Sequence, residues 1–358
     1  MSIVDATGGQ PPKTLMKRLF EAPAFGRLAP GTKVVVYALL FVWTGVVLFP
    51  IYWVLITSFK SQIAVAAGPF FLPWIDFQPS LHAWRELFVV TLDETLKAYV
   101  NSIIVTLAAT ALCVLVGSMA AYALARIQYR PKLGSILIFV ASMAIAFVVV
   151  GLYGVDLRLA IAVALAVFYF LVRALRHRFK AAIGNGDILF WIISQRILAP
   201  IVVVVPIYMM FQSVGLLDSH IALILTYSVV NLPIVVWLMY DFFNSIPIDL
   251  EESAQLDGAT RITTFREIVL PLSKAGLAAT TLLVSILCWN EYLLSVFLST
   301  SRARTMPILV AAMAAGERGV LWWTMSVTIV VMIVPVVFMA LLLQRFITKG
   351  ILLGAVKG

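Results

Sequence analysis

Charge is scarce in this chain: of its 358 residues only 12% are Asp, Glu, Lys or Arg, while 62% are hydrophobic. With a mean hydropathy of +1.03, it carries far more apolar surface than a soluble core can bury, which excludes an ordinary soluble domain. Cysteine is almost missing. The two that occur, Cys113 and Cys288, lie in apolar runs, so no disulfide framework is expected. His82, His177 and His220 stand apart from one another and from the cysteines, which argues against a zinc centre. No G-x-x-x-x-G-K-[ST] stretch occurs. Glycines do precede Lys13 and Thr14, but Pro11 and Pro12 fill the place of the second glycine, so the chain has no loop of its own to cradle nucleotide phosphates. Acidic residues are fewer than basic ones, 17 against 26, giving a net charge of +9. A polytopic membrane protein gathers Lys and Arg on its cytoplasmic side, so this balance does not call for nucleic acid as a partner.

What the chain has in abundance is long apolar runs. A hydrocarbon core needs about 20 residues of helix, and runs of that kind predict eight spans near 34–57, 100–125, 133–152, 157–175, 188–211, 221–240, 275–298 and 321–344. The fold class expected is therefore all-α, a polytopic transmembrane helix bundle. The first span follows a long polar and basic segment and exceeds the length of a signal-peptide core, so it is expected to be retained. Orientation follows from Lys and Arg: with the N-terminal tail inside, eighteen of the 26 fall in cytoplasmic segments and seven in outer ones. "RALRHRFK" (173–180) weighs most. Both termini are thus predicted to be cytoplasmic, with tails over 1–33 and 346–358 flanking a membrane domain over 34–345. The piece 58–99, rich in Pro and aromatics, reads as a compact cap at the outer interface with Trp74 and Trp84 at home there.

The stretch "EESAQLDGATRITTFREIVLPL" (251–272) lies among these spans and is polar. Asp249 is placed as an N-cap with Glu252 three residues on, Gly258 as a left-handed helix stop, Thr260 as the cap of a second helix, and Pro271 as the interruption of that helix. A short helix of two turns is marginal alone and needs something to pack on it. The basic face that would hold it on lipid headgroups is missing, because Asp241, Asp249, Glu251, Glu252, Asp257 and Glu267 face only Arg261, Arg266 and Lys274 in this region. A protein partner is the better fit.

Glu252-Ser253-Ala254, Gly258 three residues later, and Ile268-Val269-Leu270-Pro271 after nine more resemble the E-A-A, x3, G, x9, I-x-L-P signature of bacterial ABC importer permeases, with Ser for Ala at the second position. "FPIYWVLITSFKS", "AAYALAR", "PIYMMFQSVGLLDS", "NLPIVVWLMYDFF", "WNEYL" and the terminal "GAVKG" are similar to the maltose-type carbohydrate permeases. The resemblance implies a permease subunit of an ATP-driven importer for a sugar or related polyol in a bacterial or archaeal inner membrane. Its implied partners are a second homologous permease, two ATP-binding subunits, an extracytoplasmic solute-binding protein and membrane lipid. ATP and Mg would be bound by the partner ATPase, with no cofactor in this chain. It also implies that the loop over 245–272 is the coupling element that sits in a cleft of the ATPase, with Glu252, Ser253, Ala254, Asp257, Gly258 and Arg261 as its contact surface. The "GAVKG" tail, with Lys357, would extend toward the same subunits. The chain departs from the family by inserting 133–187, two further spans beyond the family's six, expected at the lipid-facing periphery.

Polar residues at membrane depth face a cavity or another helix. Asn231, Pro233, Asn290 and Glu291 are candidates for the pathway, or alternatively for bonds between helices. Gln195 and Arg196 are expected mid-span, where an arginine should find a carboxylate or water. Trp322 and Trp323 read as interfacial anchors. In the outer loop 299–320, Arg302 and Arg304 could contact the binding protein. Two rival readings stay open: the same machinery carrying another solute, such as glycerol phosphate or an oligopeptide, and an ion-driven secondary transporter. The latter would be expected to show inverted repeats, and no second half-repeat is visible.

Overall fold

In the computed structural model, residues 29–175, 178–179, 181–314 and 320–354 are described, and among them the chain is helical with no strand. Six helices are long and apolar enough to cross a membrane, and two further bent pairs raise the number to eight if each pair counts as one span. Six of the eight expected spans are thus single helices, while the runs expected at 188–211 and 275–298 are not. The run expected at 188–211 breaks at Pro200 and turns by 91°, because proline removes a backbone donor and the residue before it disfavours helix. The run expected at 275–298 ends at Trp289 and restarts at Leu293.

The chain divides into two compact units. The first joins residues 1–92 to 313–331. Helix α1 (Pro30–Thr57) leads into α2 (Gln62–Ala67), capped by the Ser61 hydroxyl, and α3 (His82–Arg85), which continues as a π turn over Glu86–Val90. The Asp76 carboxylate accepts the amides of Phe71 and Leu72, at 2.8 and 2.9 Å, and so closes the Pro-rich loop on itself. These donors hold its pKa below the usual carboxylate value. Of the two tryptophans of this loop, Trp74 is exposed and Trp84 is half-buried and stacked between Phe59 and Phe88. Ala83, Leu87 and Val327 form the small core of this unit, and Glu86 accepts hydrogen bonds from Trp323 Nε1 and Thr324 Oγ1. Trp323 is therefore a core partner as well as an aromatic at a helix end.

The second unit holds residues 93–312 and 332–358. It contains α4 (Leu92–Arg126), α5 (Leu133–Tyr153), α6 (Leu157–Leu175), α7 (Asn185–Ser194), α8 (Pro200–Ser213), α9 (His220–Asn244), α10 (Asp249–Leu256), α11 (Arg261–Thr264), α12 (Leu270–Leu272), α13 (Lys274–Trp289), α14 (Leu293–Leu298) and α15 (Met306–Ala314). The second half of α16 (Trp322–Gly354) also belongs to it. Helix α9 is the central element, packed on α13, α14 and α7. Close approach is secured by small residues: a Cβ on Gly276 would overlap the Phe242 ring, and one on Gly117 would meet Val235 Cγ1 at 2.6 Å.

Helices α5 and α6 form a hairpin. Gly154 ends α5 with φ +63, and the Asp156 carboxylate caps the start of α6 through the amides of Arg158 and Leu159. Ser142, Ala160 and Ala164 are buried where the two helices meet, and Phe139 packs edge-on against Phe168. Only 6% and 11% of their apolar windows are buried in the protein, so almost all of their outer surface is left for lipid or another chain. A short antiparallel bridge between Lys132 and Ala182 closes the base of the hairpin.

Candidate functional site

Helix α10 ends as the sequence predicts. Gly258 takes φ +89; its amide donates to Gln255 at 3.1 Å, and the Ala259 amide donates to Ala254 at 3.0 Å. These two bonds form a Schellman closure, which satisfies carbonyls that the helix end would otherwise leave unpaired. Thr260 then caps α11 by accepting the Thr263 amide at 3.2 Å. The start of α10 differs from the expected capping box. Ile248 is the cap residue and carries no side-chain cap bond, and Asp249 is the first helical residue, where its negative charge faces the positive end of the helix dipole. The second helix also departs from a plain α form, since it widens into a π turn over Phe265–Val269 before Pro271.

One face of α10 is fixed by a residue that the sequence motif does not contain. Glu251, 2% exposed, receives a hydrogen bond from Arg126 Nε at 2.7 Å and another from the Tyr122 hydroxyl at 2.9 Å. The same guanidinium donates to the carbonyls of Phe243 and Ile246 at 2.8 and 3.0 Å. Charge, donors and acceptors are thus all matched at a site with little water. Around it, Tyr122, Phe243 and Phe265 pack ring to ring, with centroids 4.6 to 6.0 Å apart. The last turn of α4, the end of α9 and the segment over α10 and the π turn therefore meet at one knot.

The opposite face is open. Glu252, Ser253, Asp257, Gly258 and Arg261 are exposed and Ala254 is half-buried. Two large apolar side chains stand among them, Leu256 at 90% and Ile262 at 79% exposure. All six residues expected at the contact surface lie on this single corner. Leu256 and Ile262 were not singled out from the sequence, although both interrupt an otherwise polar stretch.

Residues 186–353 match the family described as the binding-protein-dependent transport system inner membrane component. The trehalose/maltose transport system permease protein MalG of Thermococcus litoralis is 30% identical over 317 residues, 87% of this chain and 92% of that protein. The chain belongs to this family. The sulfoquinovosyl glycerol transport system permease protein SmoH of Agrobacterium fabrum is 29% identical over 87% of this chain and 89% of its own. The fold is shared with a chain of a bacterial ABC transporter involved in the import of the acidic polysaccharide alginate, at a TM-score of 0.58 and 20% identity, over 94% of this chain and 99% of that one. This permease is accordingly a multi-pass inner-membrane protein.

Inside the permease, the polar residues of the spans are tied to one another. Arg196, at the break between α7 and α8, donates to Asn231 Oδ1 at 3.2 Å, and Asn231 Nδ2 reaches the Tyr227 carbonyl at 2.9 Å and Cys288 Sγ at 3.5 Å. Of the two surroundings expected for Arg196, a carboxylate or water, the structure shows no carboxylate partner among the described residues but an amide oxygen and a place on the wall of a cleft. One turn earlier on α9, the Tyr227 hydroxyl donates to the Glu291 carbonyl at 3.3 Å. The Glu291 carboxylate accepts the Leu294 amide at 3.0 Å, capping α14, and Asn290 is exposed with its side chain bonded to the Ile286 carbonyl. Asn231 and Glu291 are therefore brought to the same α9–α13 seam. Beside them, Gln195, Arg196, Pro200, Val203, Val230 and Pro233 line a cleft of about 300 Å³.

A third polar cluster organises the loop that carries Arg302 and Arg304. Asp218, in the left-handed conformation at φ 56, accepts the amides of Thr300, Ser301, Arg302 and Ala303 and the hydroxyls of Ser299, Thr300 and Ser301, all within 2.9–3.2 Å. Partial burial alone would raise its pKa, but the four amide donors outweigh this and hold the carboxyl well below the usual range. From α4, Asn101 donates to the carbonyls of Arg302 and Arg304, and His220 bonds Asn101 Oδ1 at 2.8 Å. The backbone of residues 300–304 is thus held by bonds from Asp218 and Asn101, with the Arg302 side chain exposed and Arg304 half-buried. Residues 315–319 of this loop, and Lys357 in the C-terminal tail, lie outside the described residues.

Proposed function

We propose that this chain is one of two permease subunits of an ATP-driven importer for a sugar or a related polyol. It forms half of the translocation pathway with a second homologous permease and takes mechanical work from two ATP-binding subunits, which hold ATP and Mg. An extracytoplasmic binding protein delivers the solute on the other side. Both termini are cytoplasmic in this reading, in line with the Lys and Arg balance. The observation that carries it is the exposed corner at Leu256, Gly258 and Ile262, backed by the Arg126–Glu251 knot. Bare leucine and isoleucine beside Glu252, Ser253, Ala254, Asp257 and Arg261 make an apolar centre with a polar rim, the pattern of a protein contact.

Coupling follows from mechanical continuity. Pushing α10 displaces the knot, and the knot joins α4, α9 and the α11 turn, so the displacement reaches the helices around Arg196 and Asn231 as rigid bodies. Asn231, Pro233, Asn290 and Glu291 then lie on or beside the moving wall of the pathway. Arg302 and Arg304 present donors to the binding protein from a loop with a fixed backbone. The sugar assignment is supported by relatives named for trehalose/maltose and sulfoquinovosyl glycerol transport.

The test is a single cysteine at Leu256 in the assembled transporter, with uptake followed in proteoliposomes. The corner should crosslink to the ATPase subunit, and labelled sugar should accumulate only with ATP inside and binding protein outside. Uptake driven by an ion gradient without the ATPase, or a corner that crosslinks to nothing, would overturn the assignment.

A further inference from the structure

The first unit holds a cavity of about 320 Å³ that the importer reading leaves unused. It is lined by the last turns of α1 at Trp53, Val54 and Thr57, by Lys60, and by the first turns of α16 at Trp322 and Ser326. Both helices are span-length and apolar, so the cavity lies at the end of two spans, where lipid headgroups meet protein.

The polar groups at this cavity are under-partnered. Lys60 is 2% exposed, yet its ammonium has one oxygen partner, the Phe70 carbonyl at 2.7 Å, and otherwise faces the Trp53 and Phe77 rings at 4.2 and 5.3 Å. No ion pair to Lys60 occurs among the described residues, and Asp76 acts on it only from a distance. Burial lowers the lysine pKa, and Asp76 offsets part of this. Thr57, 6% exposed, has a hydroxyl with no hydrogen-bond partner, although a helical threonine ordinarily bonds a carbonyl one turn back. A buried cation with spare donors, beside a buried hydroxyl without a partner, is a costly arrangement unless an acceptor enters the cavity.

We propose that this cavity binds the phosphate of a phospholipid headgroup, with the Lys60 ammonium and the Thr57 hydroxyl as donors and the Trp53 and Trp322 indoles covering the glycerol and upper acyl region. An ammonium is a compact phosphate partner, and indole rings favour the boundary between headgroup and hydrocarbon. Phe49, exposed one turn before Trp53 on α1 and packed on its ring, continues the apolar surface along which the acyl chains would lie.

The experiment uses the complete transporter, washed in detergent and analysed by native mass spectrometry for retained phospholipid. Wild type should keep a tightly held phospholipid on this chain. Lys60→Met and Thr57→Val should each lower its retention several-fold, and Lys60→Arg should restore most of it. Thr57→Val is nearly isosteric and covers the case in which Lys60→Met fails to assemble. Equal retention by wild type and Thr57→Val, or displacement of the lipid by inorganic phosphate or by an acidic sugar at millimolar level, would overturn the headgroup assignment; the displacement results would point to a free-anion site instead.

Discussion

Arg126 Nε and Glu251 Oε1 lie 2.7 Å apart, joining the end of α4 to α10 across 125 residues of sequence. Glu251 and its neighbour Glu252 thus have opposite environments, one buried in a matched ion pair and the other exposed. Removing Glu251 strands the Arg126 charge, and loss of one partner of a buried pair costs about 3–5 kcal/mol. Glu251→Ala should therefore lower the thermal midpoint of the purified permease clearly, while Glu252→Ala should stay within about 0.5 kcal/mol of wild type. In the assembled transporter the order reverses for function per folded molecule, with Glu252→Ala reducing sugar-stimulated ATP hydrolysis. Equal melting of the two variants would refute the division of roles.

Gly258 has φ +89 and no atom within 4 Å of the position a Cβ would take. Its requirement within this chain is therefore conformational, not steric. Asn tolerates the left-handed region better than other non-glycine residues, so Gly258→Asn should leave the permease folded. If the corner sits against another protein, the added side chain should still abolish or strongly reduce uptake. Gly258→Val should do both, adding strain of about 1–2 kcal/mol to the loss of transport. A thermal melt together with an uptake assay separates the two effects, and full uptake by Gly258→Asn would remove the docking role.

Much of this corner was legible in the sequence because its signals are local. Gly258 as a helix stop and Thr260 as a cap depend on the backbone needs of single turns. What sequence reasoning missed is long-range: Glu251 and Arg126, Asp218 and the loop 299–303, Arg196 and Asn231 are pairs far apart in the chain. Nothing in a one-dimensional pattern says which of two adjacent glutamates faces inward. The broken spans were missed for a related reason. Hydropathy sums over a window and does not register that Ala199-Pro200 bends a run by 91°, or that Asn290 and Glu291 end one helix and cap the next.

Asp218 provides a pH prediction. Its folded-state pKa is depressed, outside the membrane spans, so its stabilising contribution is present above the unfolded value of about 3.9 and is lost only as pH falls through the lower folded value. Between about pH 5 and 8, above both values, the loop carrying Arg302 and Arg304 should show no change in protease sensitivity from this group. Asp218→Asn replaces an acceptor-only carboxylate by an amide that cannot receive all the amide donors, at a cost of about 2 kcal/mol. The variant should be cut faster in this loop at every pH, and its KM for the loaded binding protein should rise.

The α5–α6 hairpin is the last test. The Ile183 amide donates to the Pro131 carbonyl at 2.9 Å, and the Leu133 amide donates to Ala181 at 3.0 Å, so the chain enters and leaves the hairpin at nearly the same place. Asn185 holds this exit against α4 independently: its side chain donates to the carbonyls of Leu124 and Ile127 and accepts the Tyr129 amide. Replacing 133–181 by a short glycine and asparagine turn therefore needs no movement of α4 or α7. Two spans leave together, so every later loop keeps its side of the membrane. The shortened permease should insert, assemble with its partners and take up solute at a rate within about three-fold of wild type, since few of its internal contacts reach α5 or α6. Uptake and assembly by size-exclusion chromatography give the answer, and failure to assemble with its partners would place the hairpin at a subunit seam instead of the lipid-facing edge.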